Sequence, residues 1–255
     1  MRSNMNLIKT RLSKVFSIIF WVVVWQLAAL KIDYEVLLPT PLRVIQRLGQ
    51  IFVSTEFLNS VLTTFTSILC GFFLALITAV ILASISGSIK FVRILLTPFM
   101  SMIKSIPVAS FVILALFWFD SSSLSAFVSF IMVLPVIYIN VLSGVDETDT
   151  KMCEMATVFK VSPIKRVVYI YIPYAIPYFK SGCAIALGLC WKAGVAAELI
   201  GVPRGTIGEQ LYFSKTYFET ADLFAWTIVI IAISVIFEKL FMLVLNKAVL
   251  LYERS

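Results

Sequence analysis

Histidine is absent from the 255-residue chain, which removes imidazole bases and a common class of metal ligand from any chemistry it performs. The phosphate-cradling pattern Gly-x-x-x-x-Gly-Lys-Ser/Thr is absent too, so the chain has no evident means of hydrolysing ATP itself. Charge is scarce: Asp, Glu, Lys and Arg make up 14% of residues against 60% hydrophobic ones, and the mean hydropathy is +0.99. That balance excludes a water-soluble core. The few carboxylates do not cluster within the apolar stretches, which argues against an integral-membrane enzyme. Four cysteines, Cys70, Cys153, Cys183 and Cys190, are spaced neither as a disulfide framework nor as a zinc site, and read as small apolar packers.

What the chain does have is long apolar runs. Crossing a bilayer takes about 20 apolar residues at roughly 1.5 Å rise each. Six stretches qualify, at about 15 to 30, 58 to 85, 94 to 119, 124 to 144, 174 to 200 and 222 to 245. The fold class expected is therefore all-α integral membrane with six transmembrane helices. The first run follows Arg2, Lys9, Arg11 and Lys14 and carries Trp21 and Trp25; it is expected to be a retained span rather than a cleaved signal. With both termini cytoplasmic, the inner segments hold twelve basic residues, Arg2, Lys9, Arg11, Lys14, Lys90, Arg93, Lys151, Lys160, Lys165, Arg166, Lys247 and Arg254. The outer segments hold five, Lys31, Arg43, Arg47, Arg204 and Lys215. The positive-inside rule selects this orientation, and the net charge of +7 needs no nucleic-acid partner to explain it.

The organisation expected is an N-terminal part, residues 1–57, with a cytoplasmic tail, the first span and an outer interfacial helix; a core transmembrane domain, 58–245; and a cytoplasmic tail, 246–255. In the first part Pro39 and Pro41 restrict the backbone before Leu42 to Phe52, where Val44, Ile45, Leu48, Ile51 and Phe52 share a helical face. Pro98 and Pro107 interrupt the third apolar run, and such breaks persist in membranes where neighbouring helices or a cavity satisfy the freed backbone. The polar segment 145–172 predicts helix, tight turn, helix. Asp146, Glu147 and Asp149 suit a first turn, that helix is expected to run to about Phe159, and Ser162 before Pro163 signals a second start.

Within this segment Glu154, Ala156, Ile170 and Pro173 fall at the spacing Glu-Ala-Ala, three residues, Gly, nine residues, Ile, one residue, Leu-Pro. Here the chain resembles the permease subunits of ATP-binding-cassette importers. Met155, Lys160 and Ile172 replace the usual Ala, Gly and Leu. Lys160 is the serious departure, because a left-handed turn there costs a residue with a side chain roughly 1 kcal/mol. From about residue 37 to the C-terminus the chain looks like the nitrate, sulfonate and taurine branch. The residues that carry this are Leu37 to Pro41, Ile106 with Pro107, the run Ala186, Leu187, Gly188, Trp191, Ala196, Ala197, Glu198, Leu199 and Ile200, then Gly205 and Gly208.

The resemblance implies a type I importer permease fold in a prokaryotic inner (plasma) membrane. It implies a second permease copy, by family default a homodimer, a cytoplasmic ATPase dimer that binds ATP and Mg, and an extracytoplasmic solute-binding protein. No cofactor is expected on this chain itself, and its surroundings are membrane lipid. The expected substrate is a small anion such as a sulfonate, taurine or nitrate; a heterocyclic nutrient such as a thiamine precursor is the alternative. An ion-coupled secondary transporter is a further alternative, but no internal repeat supports it.

The coupling residues implied are Glu154, Met155, Ala156, Lys160, Val161, Ser162 and Pro163. Candidates along a translocation pathway are Lys104, Pro107, Trp191, Lys192 and Glu198. Lys104 also fits a snorkelling lysine. An ionisable group at mid-membrane costs roughly 2.5 to 3.5 kcal/mol unless it is paired, so Lys192 and Glu198 are expected to face protein or water. Their six-residue offset is about 240° on a helix, which puts them on different faces. Lys192 continues the stripe of Ala184 and Gly188, and Glu198 follows Trp191 and Gly194. Lys192 reads either as an anion-biasing group or as a structural lysine.

Overall fold

The computed structural model describes residues 2–254, with side chains for 16–252. All of its described secondary structure is helical: α1 (Arg2–Ile32), α2 (Pro41–Val53), α3 (Thr55–Ser88), α4 (Lys90–Ser105), α5 (Val108–Ala115), α6 (Ser121–Asp146), α7 (Thr150–Val158), α8 (Pro163–Arg166), a five-residue π turn (Val167–Tyr171), α9 (Ile172–Gly201), α10 (Ile207–Thr216) and α11 (Thr220–Arg254). Four helical stretches are long and apolar enough to cross a membrane, or five if the bent pair α4 and α5 counts as one span. The first apolar run is the described Phe16–Ile32 stretch of α1. The basic side chains Arg2, Lys9, Arg11, Lys14 and Arg254, which weigh in the orientation reading, lie outside the described side chains.

The third apolar run is not one rod. Pro107 cannot donate a backbone hydrogen bond, and α4 and α5 meet around it at 102°. Pro98, by contrast, sits inside α4 without ending it.

The described chain divides into two units, one comprising the residues through Leu58 together with Gln210–Val229, the other Asn59–Glu209 with the stretch from Ile230 onward. In the first unit Trp25 donates through Nε1 to the Pro39 carbonyl at 3.1 Å and stacks on Phe224 with centroids 5.4 Å apart. Arg47 forks onto both carboxylate oxygens of Asp222, a bidentate pair that fixes geometry as well as charge. Helix α2 starts at Pro41 with Thr40 as its cap, the Thr40 Oγ1 accepting from the Arg43 amide. Only Val44 and Ile51 of the expected apolar face are buried, while Ile45 and Phe52 are exposed.

In the second unit α6 and α9 form the centre. Within its apolar window α6 is 61% buried, against 6% for α11, so α6 faces protein and α11 faces outward. Contact between α6 and α9 depends on small residues and on hydroxyls that bond across the seam: Ser129 Oγ donates to the Cys190 carbonyl and Ser125 Oγ to the Gly194 carbonyl, each at 3.2 Å. Hydroxyls in this role replace the hydrophobic drive that lipid removes. Cys183 and Cys190 are buried here as free thiols.

Candidate functional site

Two places gather the residues that the sequence singles out. The first is the linker between α6 and α9. Helix α6 runs through Asp146, so the expected acidic first turn is corrected: Asp146 closes one helix, and Asp149 caps the next by accepting from the Lys151 amide at 2.8 Å. Asp146 instead receives a fork from Arg93 at 2.8 and 2.6 Å.

Helix α7 stops where the sequence shows its departure. Lys160 adopts φ +50°, its amide bonds to the Thr157 carbonyl at 3.1 Å, and the Val161 amide reaches back to Ala156 at 2.9 Å. This pair of bonds is the Schellman stop, normally built on glycine. The chain therefore keeps the turn and carries the left-handed cost, roughly 1 kcal/mol, on a lysine. Pro163 opens α8 as expected, but the Ser162 side chain makes no capping bond; the proline's fixed φ suffices.

The faces of α7 differ sharply. Ala156 is 1% exposed, and Cys153 Sγ lies 3.8 Å from the Tyr171 hydroxyl, so this side packs inward. On the adjoining stripe of the helix Met152, Met155 and Phe159 follow at three- and four-residue steps, and all are exposed, Phe159 at 74%. Val158 at the end of α7 and Ile164 in α8 are exposed as well, and so is Glu154. A contiguous apolar patch on a polar linker marks an interaction surface.

The second place is the junction of α9 and α10. Glu198 is completely buried. Its Oε2 accepts from the Thr64 hydroxyl at 2.8 Å and from the Gly208 amide at 3.2 Å. Thr64 Oγ1 in turn accepts from the Ile207 amide at 2.9 Å. Two orphan amides at the start of α10 are thus received by a threonine–carboxylate pair, and the carboxylate sits at the positive end of the helix dipole.

Around this pair the backbone is fixed from both sides. The Glu198 carbonyl accepts from Val202 at 2.8 Å, where the valine takes a left-handed φ of +47° and ends α9. The Thr206 hydroxyl accepts from the Glu209 amide at 3.1 Å, and the Glu209 carboxylate accepts from the Gly205 amide at 2.6 Å, a close variant of the capping box. A Cβ on Gly208 would lie 2.1 Å from the Glu198 Cβ and 2.6 Å from its carbonyl carbon, so only glycine fits.

Trp191 and Glu198 are seven residues apart on one face of α9, and both are buried. The Trp191 ring lies 6.0 Å from Phe65. Lys192 is exposed, on the side of α9 where Gly188 has open space around it. Lys104 and Pro107 are exposed at the α4–α5 bend. Of the five pathway candidates, then, the structure pairs only Trp191 and Glu198 on a common buried face. Thr64 went unnoticed in the sequence, lost among the other hydroxyls of α3, whereas Thr206-x-x-Glu209 carried a readable capping signal.

Comparison with known proteins adds the remaining observations. Residues 71–250 match the family described as binding-protein-dependent transport system inner membrane component. The chain is 24% identical over 237 residues to a putative aliphatic sulfonates transport permease protein, SsuC, of Bacillus subtilis (strain 168), covering 92% of this chain and 85% of that one. It is 26% identical over 209 residues to the nitrate import permease protein NrtB of Synechococcus elongatus, covering 78% and 75%. To the taurine transport system permease protein TauC of Escherichia coli (strain K12) it is 24% identical over 220 residues, covering 84% and 80%. In fold it is similar to a solved amino acid ABC transporter chain, with a TM-score of 0.53, 16% identity, and coverage of 82% of this chain and 96% of that one.

Proposed function

The chain belongs to the family of binding-protein-dependent transport system inner membrane components, and from that premise we propose that it is the pathway-forming subunit of an ATP-driven importer of the type I fold. It is a multi-pass membrane permease whose relatives serve the sulfonate, nitrate and taurine branch. In this reading α1, α3, the bent pair α4–α5, α6, α9 and α11 make six crossings, with both termini in the cytoplasm. The excess of basic residues on that side supports the orientation.

The observation that carries the proposal is the exposed apolar face of α7, Met152, Met155 and Phe159, held by a cap at one end and a Schellman stop at the other. Such a face seats in a groove of a separate ATPase dimer, where ATP and Mg are bound. Closure of that dimer then moves α7 as a rigid handle, and the linker passes the displacement to α9. A second copy of the chain completes the pathway, and a solute-binding protein delivers substrate on the opposite side of the membrane.

Co-purification tests the docking assignment. Glu154→Lys reverses the exposed charge on α7 and is expected to lower recovery of the ATPase with the permease, or to leave ATP turnover running without uptake. Normal recovery together with normal coupling would remove the assignment.

The substrate proposed is a small anion. Its support is the cation Lys192 on the open side of α9, together with the sulfonate and nitrate named for the relatives. Lys192→Gln is expected to lower anion uptake several-fold while assembly with the ATPase is unchanged. Uptake by vesicles at matched protein content is the measurement, and an unaltered profile would make Lys192 structural.

A further inference from the structure

Helix α4 carries all of its charged and hydroxyl side chains on one side. At about 100° per residue Lys90, Arg93, Thr97, Ser101 and Lys104 fall within an arc of about 80°, and Ser105 widens it to about 120°, with Ile94 the one apolar residue among them. The rest of the helix is apolar: Met100 and Ile103 are buried, while Phe91, Leu95, Phe99 and Met102 are exposed. Thr97, Ser101, Lys104 and Ser105 are exposed too, so a face suited to lipid and a polar face stand side by side. Helix α4 does not lie flat at a membrane surface. Its Arg93, Thr97 and Ser101 share a cavity of about 270 Å³ with Tyr138, Leu142 and Asp146 of α6, so it runs beside a helix long and apolar enough to cross for two turns. A second cavity, of about 650 Å³, is lined by Ser86, Ser88, Lys90, Arg93 and Thr97. Arg93 and Thr97 therefore belong to both.

We propose that this polar arc lines the water-filled path taken by the solute, and that Lys104 is the cation a translocating anion meets there; the inference rests on the importer reading and deepens it. Lys104 stands eleven residues beyond Arg93, about 16 Å along the helix. A lysine stem spans about 6 Å, too little to return the ammonium to the level of the Arg93–Asp146 pair. Among the described residues no carboxylate pairs with Lys104. An ionisable group at that depth faces water or protein, not hydrocarbon. The Thr97 and Ser105 hydroxyls donate to the Arg93 and Ser101 carbonyls at 2.7 and 3.0 Å, so Lys104 and the two cavities, not the hydroxyls, decide between lipid and water. The break at Pro107 comes three residues later, with Pro107 exposed, and non-helical backbone persists in membranes where it lines a wet cavity or is buried in protein. Charge selects the occupant. The arc holds Lys90, Arg93 and Lys104 and no carboxylate, and only Asp146 answers Arg93. The surplus positive charge attracts a small anion, whereas a second copy presenting the same arc across a dry seam would be repelled.

The test places single cysteines on α4 of the full chain, reconstituted with its ATPase in lipid nanodiscs so that reagent reaches both membrane faces. Cys70→Ala and Cys153→Ala remove the accessible thiols, and Cys183 and Cys190 are buried. Thr97→Cys, Ser101→Cys and Ser105→Cys are expected to react with the anionic 2-sulfonatoethyl methanethiosulfonate about tenfold faster than Leu95→Cys and Met102→Cys, because the reactive thiolate forms in water and not in hydrocarbon. At Ser101→Cys the anionic reagent should outpace its trimethylammonium counterpart by about tenfold, after correction for their rates with a free thiol, the bias a nearby unit charge gives. Lys104→Gln should remove most of that bias and lower anion uptake several-fold, and Lys104→Arg should keep both. Arc cysteines no faster than Leu95→Cys, or a charge bias untouched by Lys104→Gln, would overturn the proposal. An unreactive arc in a chain that still recovers the ATPase and drives uptake overturns this inference alone. A reactive arc in a chain that does neither overturns the importer reading beneath it.

Discussion

Gly208→Val is expected to abolish the folded permease. An added Cβ would sit 2.1 Å from the Glu198 Cβ and 2.6 Å from the Glu198 carbonyl carbon, and backbone cannot rotate out of the way as a side chain can. The start of α10 must therefore lift off α9. Lifting removes the Gly208 amide from Glu198 Oε2 and the Ile207 amide from Thr64 Oγ1, which leaves a buried carboxylate, whose Oε1 already has no partner, with the Thr64 hydroxyl as its remaining donor at Oε2. Overpacking of this kind costs about 1 to 3 kcal/mol, and a buried polar group left unmatched adds about 1 to 3 more. The sum, about 2 to 6 kcal/mol, reaches the lower end of the roughly 5 to 15 kcal/mol by which folded domains are stable. Chromatographic recovery and thermal aggregation of the detergent-solubilised chain measure it. Gly49→Ala, at an open position in α2 with nothing within 4 Å, is the control and should be neutral or slightly stabilising. Thr64→Val should fall between the two, since it removes one donor and one acceptor but adds no clash. A Gly208→Val chain as stable as the parent would mean that the α9–α10 junction does not hold Glu198 as described.

This junction also shows what the sequence reveals and what it hides. The spacing of Lys192 and Glu198 puts them on different faces of one helix, and they are indeed separated, one exposed and the other fully buried. Periodicity reports such relations within an element well. It does not report which distant hydroxyl receives a buried acid, because Thr64 is 134 residues from Glu198 and only the packing of α3 against α9 joins them. Composition marked the apolar runs, and α3, α6 and α9 emerge within a few residues of the expected ends, whereas α1 begins well before its run, α11 continues past its run to Arg254, and the third run is broken at Pro107. There the proline was visible, but the 102° angle was not, because the angle depends on how neighbouring helices take up the freed backbone. Lys160 is the reverse case. Its local sequence argued against a left-handed turn, yet the turn is there, closed by two Schellman bonds that outweigh a penalty of roughly 1 kcal/mol.

The same turn bears on the second large effect. Because the Schellman stop fixes where α7 ends, it also fixes the direction in which Phe159 projects, one helical face with Met152 and Met155. Exposed aromatic and methionine side chains on a short rigid helix are the residue types that dominate interface energetics, and each central anchor is worth about 2 kcal/mol or more. Phe159→Glu would put a charge into the groove proposed to receive this face. The expected loss is about 30-fold or more in affinity for the ATPase, with ATP-driven uptake falling in parallel. Because Phe159 is 74% exposed in the chain itself, the substitution should leave insertion and chromatographic behaviour unchanged, unlike Gly208→Val. That separation makes the experiment decisive. Loss of ATPase binding with a well-folded chain assigns the α7 face to docking. Full binding and full uptake by the Phe159→Glu chain would leave this apolar face without a partner on the ATPase, and the route by which ATP turnover drives the spans would have to begin elsewhere.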